Sequence, residues 1–82
     1  MSKIAENVVV ICYGGKSAEH DISIITALTI YKKYKLKNKK IKLLYQSRDG
    51  RWFMGDGLSN LKTYKNFDDA KFDIFYFPLN YL

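Results

Sequence analysis

Val8-Val9-Val10-Ile11-Cys12-Tyr13-Gly14-Gly15-Lys16-Ser17-Ala18-Glu19-His20-Asp21-Ile22-Ser23 decides how this chain is read. An apolar run of strand length, two adjacent glycines and a polar stretch opening a helical pattern make a strand, a tight turn and a helix start. Asn7 to Tyr13 reads as a central parallel strand covered on both faces, because its apolar residues are continuous rather than alternating. The glycines let the backbone turn sharply and approach a ligand without a Cβ in the way, and the free N–H groups of a helix start favour an anion. Glu19 falls in the first turn, facing the strand ends. In an open α/β sheet the crevice outside the strand carboxyl ends is the usual ligand site, which makes Glu19 the leading candidate to meet a substrate cation.

Outward from this junction, helix one is expected from Ser17 or Ala18 to Tyr34. Ile24, Ala27, Leu28 and Tyr31 form its buried stripe, widened by Ile25. Ile41 to Gln46 reads as strand two. Asp49-Gly50 then turns the chain into Arg51-Trp52-Phe53-Met54 as a hairpin. Gly55, Asp56, Gly57, Ser59 and Asn60 mark a loop, and Asn66 or Asp68 starts a helical turn before a last strand, Phe72 to Phe77, ended by Pro78. Without repeats or linkers, the order strand, helix, strand, hairpin, strand gives one α/β domain with a mainly parallel sheet.

The chain has 82 residues, 48% hydrophobic and 16% aromatic, which suits a small globular domain and excludes a disordered one. No stretch has the roughly 18 apolar residues a membrane span needs, and the first seven residues are too polar for a signal peptide, so a cytoplasmic chain is expected. Cys12, the single cysteine, has no internal partner and is expected to be a buried, inert thiol. The net charge of +6 and pI near 9.5 raise a nucleic-acid reading. Its source is Lys32, Lys33, Lys35, Lys37, Lys39, Lys40 and Lys42, around the end of helix one. Lysines there are favoured by the helix dipole and stay hydrated, so a solvated helix end outweighs a phosphate patch. A small basic nucleic-acid-binding module and a freestanding interaction domain stand as the alternatives.

Gly14-Gly15-Lys16-Ser17-Ala18-Glu19-His20-Asp21-Ile22-Ser23 resembles the amino-terminal signature of the D-alanine-D-alanine ligase family. Arg48-Asp49-Gly50-Arg51-Trp52 is similar to that family's Asp-Gly-x-Trp hairpin, in the right order and at a similar distance. The resemblance implies a three-layer α/β sandwich of the pre-ATP-grasp, Rossmann-like type, truncated here before its ATP-grasp domains. Phe77-Pro78-Leu79 still resembles the family, whereas Asn80-Tyr81-Leu82 does not match the histidine-glycine loop that follows in it. It further implies that Glu19 binds the ammonium of the first D-alanine, with Ser17, Gly14, Gly15 and His20 around it. The complete enzyme would use ATP and magnesium (or manganese) to make a peptidoglycan precursor, and would commonly be a homodimer.

Each site residue also has a plainer reading. Glu19 is a dipole-stabilised first-turn glutamate, Ser17 the helix N-cap, and His20 a partly exposed structural histidine. Trp52 packs the hairpin onto the sheet. Gly14-Gly15-Lys16-Ser17 mimics the end of a phosphate-binding P-loop, but that loop's leading glycine would be Val10, inside the strand. No cofactor is therefore expected on this stretch of chain, and the 82 residues alone are expected to be inactive.

Overall fold

The computed structural model describes residues 8–37 and 40–75. Strand β1 is Val8–Gly14, helix α1 is His20–Leu36, β2 is Lys40–Gln46, β3 is Trp52–Met54 and β4 is Asp73–Phe75, with 3₁₀ turns at Leu61–Tyr64 and Asp69–Lys71 between the last two strands. Residues 76 and 77 of the expected last strand, and Pro78, lie outside the described residues.

The four strands form one sheet in the order β1-β2-β3-β4. β1 and β2 are parallel, with Tyr13 opposite Tyr45, whereas β2–β3 and β3–β4 are antiparallel. The sheet is therefore mixed rather than mainly parallel. Among the described residues only the β1–α1–β2 crossover joins parallel neighbours, and the later connections return the chain antiparallel. β1 is an edge strand among the described residues, not a central one. Ile11 and Tyr13 face the core, while Val8, Val10 and Cys12 alternate onto the opposite face and are exposed. That placement corrects the expectation of a buried cysteine.

α1 lays Ile24 and Ala27 onto the sheet, with Leu28 and Tyr31 partly buried beside them, but Ile25 is exposed and does not widen the stripe. The same sheet face receives the long β3–β4 connection, so the described residues build two layers. Phe53 is 0% exposed and Leu58 is nearly as deep. Around them Tyr45 and Phe53 meet Phe67 at 4.9 and 5.2 Å between ring centroids, and Phe67 stacks on Phe72 at 5.0 Å. Trp52 is half-buried in the hairpin, and Phe53 beside it is the deepest side chain of the fold.

The hairpin loop is wider than a two-residue turn. Gly50 N–H donates to Ser47 O and Ser47 N–H to Arg51 O, both at 2.9 Å, and Gly50 closes the loop at φ +94°. Asp68 caps the second 3₁₀ turn as expected, accepting from the Ala70 N–H at 3.1 Å; Asn60, placed by the sequence in a loop, caps the first by accepting from Lys62 N–H at 3.0 Å. Lys32, Lys33, Lys35 and Lys37 stand exposed at the end of α1, with Lys35 5.8 Å over the Tyr31 ring. No helix of the described residues is long and apolar enough to cross a membrane.

Candidate functional site

The site grows from the carboxyl ends of the parallel pair. Gly14 and Gly15 take φ +94° and +98°, and a Cβ on Gly14 would stand 2.2 Å from the Gln46 carbonyl oxygen. Glycine is required there both by the left-handed backbone and by the closeness of β2. Gly15 N–H donates to Gln46 O at 2.9 Å, which carries the β1–β2 ladder one step into the loop.

From the first turn of α1, two side chains hold this loop. Ser23 Oγ accepts from Gly14 N–H at 2.8 Å and donates to His20 O at 2.9 Å. His20 turns its ring inward, with Nδ1 2.5 Å from Gly15 O and Nε2 2.9 Å from the Tyr45 hydroxyl. It is 3% exposed, deeper than the partly exposed histidine expected from the sequence. Both ring nitrogens find partners inside the fold, which is what makes such burial tolerable.

The helix begins at His20, later than the sequence suggests, and Glu19 occupies the N-cap position without a side-chain cap bond. Ser17 caps the preceding turn instead, its Oγ accepting from Glu19 N–H at 3.2 Å while its carbonyl accepts from His20 N–H at 3.2 Å. Glu19 is exposed, and its carboxylate makes no hydrogen bond or ion pair among the described residues. It lines a groove of about 330 Å³ along the open edge of β1, together with Tyr13, Ile22, Ser23, Thr26 and Ile30. The groove thus offers one free carboxylate against a largely apolar wall. Lys16 lies over Gly50 of the hairpin loop, 3.1 Å from where a Cβ there would stand.

Beneath the site runs a tyrosine network that the sequence reading did not single out. Tyr64 O–H donates to the Leu58 carbonyl, which leaves Tyr13 O–H to donate to the Tyr64 oxygen at 2.5 Å. Burial pushes the Tyr13 hydroxyl far above the usual tyrosine range and Tyr64 up to about 12, and it raises Tyr45 as well. The signal for Ser23 was present four residues after Glu19 on the same helix. Nothing local marked Tyr45 or Tyr64.

The D-ala D-ala ligase N-terminus model matches residues 8–76. The chain belongs to that family. Among curated relatives of this ligase domain, the D-alanine--D-alanine ligase of Thermosipho melanesiensis is 43% identical over 58 residues, 71% of this chain and 16% of the relative. The D-alanine--D-alanine ligase of Enterococcus gallinarum is 33% identical over 57 residues, 70% of this chain and 18% of the relative. The chain therefore spans less than a fifth of the length of these ligases. Two solved structures share the fold: the D-Ala:D-Ser ligase VanG from Enterococcus faecalis, with TM-score 0.63, 18% identity, and 82% of this chain and 20% of that one covered; and the Helicobacter pylori D-alanine-D-alanine ligase, with TM-score 0.61, 24% identity, and 83% and 20% covered.

Proposed function

We propose that residues 1–82 are the amino-terminal, substrate-binding domain of a cytoplasmic ATP-dependent ligase joining two D-alanines for peptidoglycan precursors. The observation that carries this is the unpaired Glu19 carboxylate beside a two-glycine loop, at the carboxyl ends of β1 and β2 and on the wall of an apolar groove. An ammonium held away from water needs a charge-assisted acceptor, and the small apolar wall suits a methyl side chain. Gly14, Gly15 and Ser17 shape the loop that presents Glu19, and His20 holds it from within.

The glycine loop does not fit the nucleotide. A phosphate cradle needs glycine amides turned outward, whereas Gly15 N–H is spent on Gln46 O and Gly14 N–H on Ser23 Oγ. The described residues also contain no group of three or more acidic, histidine or cysteine side chains that could hold a metal ion. ATP and its magnesium (or manganese) would belong to ATP-grasp domains elsewhere in the complete enzyme, and no step is routed through them here. This domain's part is to bind the first D-alanine by its ammonium and orient it, before the amine of the second D-alanine attacks its activated carboxyl group.

Further elements of the complete enzyme would cover the outer face of the sheet, giving the three-layer sandwich. A homodimer contact through this domain belongs to the same reading. It is tested by following ADP release from the complete enzyme: turnover with D-alanine and none with L-alanine is expected, and equal turnover with both, or turnover with neither, would refute it.

A further inference from the structure

We infer that His20 is the positioning residue of this site, its imidazole tying the glycine loop to β2 and thereby fixing where Glu19 stands. This rests on reading Glu19 as the ammonium-binding carboxylate, and it adds a residue whose side chain never reaches the ligand. A carbonyl oxygen only accepts, so Nδ1, 2.5 Å from Gly15 O, must carry the ring proton. Nε2 is then a bare lone pair and accepts a hydrogen bond from the Tyr45 hydroxyl at 2.9 Å. Tyr45 keeps that proton, since burial raises its pKa, and its ring is fixed edge-on against His20 at 5.5 Å and Tyr64 at 5.0 Å.

One ring therefore joins three pieces: the loop through Gly15, the second strand through Tyr45, and the start of α1 through its own backbone. Ser23 holds the other end of the same loop at Gly14 N–H. Glu19 immediately precedes His20, so this anchor limits how far its backbone can move. A carboxylate that must meet a cation without reorganising needs such a second layer of support.

Two variants separate anchoring from simple packing. In His20→Asn the amide nitrogen replaces Nδ1 and still donates to Gly15 O; in His20→Gln the amide group replaces Nε2, keeping Tyr45 and abandoning the carbonyl. In the 82-residue chain, nitrogen NMR of wild-type His20 is expected to show a protonated Nδ1 and an unprotonated Nε2. Amide exchange at Gly14 and Gly15 should quicken about tenfold in His20→Gln, the effect of one lost hydrogen bond, and much less in His20→Asn, with Ile24 and Leu43 unchanged in both. A protonated Nε2 in the wild type, equal quickening in both variants, or quickening that extends to Ile24 and Leu43 would overturn the proposal. If the anchoring results hold but Glu19 proves irrelevant to D-alanine use by the complete enzyme, the substrate reading fails and the loop anchor stands.

Discussion

The two flanks of β2 are built on opposite terms. Toward β3 and β4, Tyr45, Phe53, Leu58, Tyr64, Phe67 and Phe72 close on one another in one core. Toward β1, Val10 is 51% and Ile22 64% exposed, Val8 and Ile30 join them, and the strand edge is open among the described residues. The difference teaches that the described residues pack a core on one side and leave an open surface on the other, with the Glu19 groove running along the open side. A packed half thus carries an open half.

If that division is right, damage to the packed flank should be severe. Phe53→Ala is expected to cost about 3 to 5 kcal/mol, a cavity at the deepest point of the core, and to leave little cooperative unfolding in a thermal melt. A melt like the wild type's would show that the aromatic flank is not the core. Tyr45→Phe is smaller, about 1 to 3 kcal/mol, because it strands a buried acceptor at His20 Nε2 without opening a cavity. Urea unfolding monitored by circular dichroism measures it.

The same flank predicts a pH dependence with a definite sign. Tyr13 and Tyr64 hold their protons more tightly in the folded chain than the unfolded value of 10.0, so folding is fully supported below that pH. Stability should then fall as pH rises from 10 through the Tyr64 value near 12, since unfolding releases protons there. Unfolding midpoints measured at stepped alkaline pH check this, and Tyr64→Phe should flatten the fall.

Much of this was readable from residues close together in sequence. The apolar run, the paired glycines and the Ile24, Ala27 spacing fix β1, the loop and α1, because each signal lies within one element. The motif placed Glu19 at the strand ends for the same reason. What was not readable depends on partners far along the chain. His20 is buried because Tyr45, 25 residues later, meets its ring. Cys12 and Val10 read as core because a continuous apolar strand suggests two covered faces, yet β1 lies at the sheet edge and only one face is covered. The mixed sheet likewise follows from how β3 and β4 return, which periodicity does not encode.

On the open flank, single changes should hardly move the monomer. Val10→Lys is expected to shift its stability by no more than about 0.5 kcal/mol. It should, however, weaken self-association, because an exposed apolar edge strand invites pairing between copies. The wild-type unfolding midpoint is expected to rise with concentration across about a hundredfold dilution series, and the Val10→Lys midpoint to stay level. A wild-type midpoint independent of concentration would mean that the flank is closed.

The central proposal is that Glu19 would hold the ammonium of D-alanine, and Glu19→Gln in the complete enzyme tests it most directly. The substitution keeps the shape and removes the charge, which should cost about 2 to 4 kcal/mol where the pair is shielded from water. Steady-state kinetics should then show the D-alanine requirement at the first site rising on the order of 30- to 1000-fold. A variant whose D-alanine dependence matches the wild type would contradict the account.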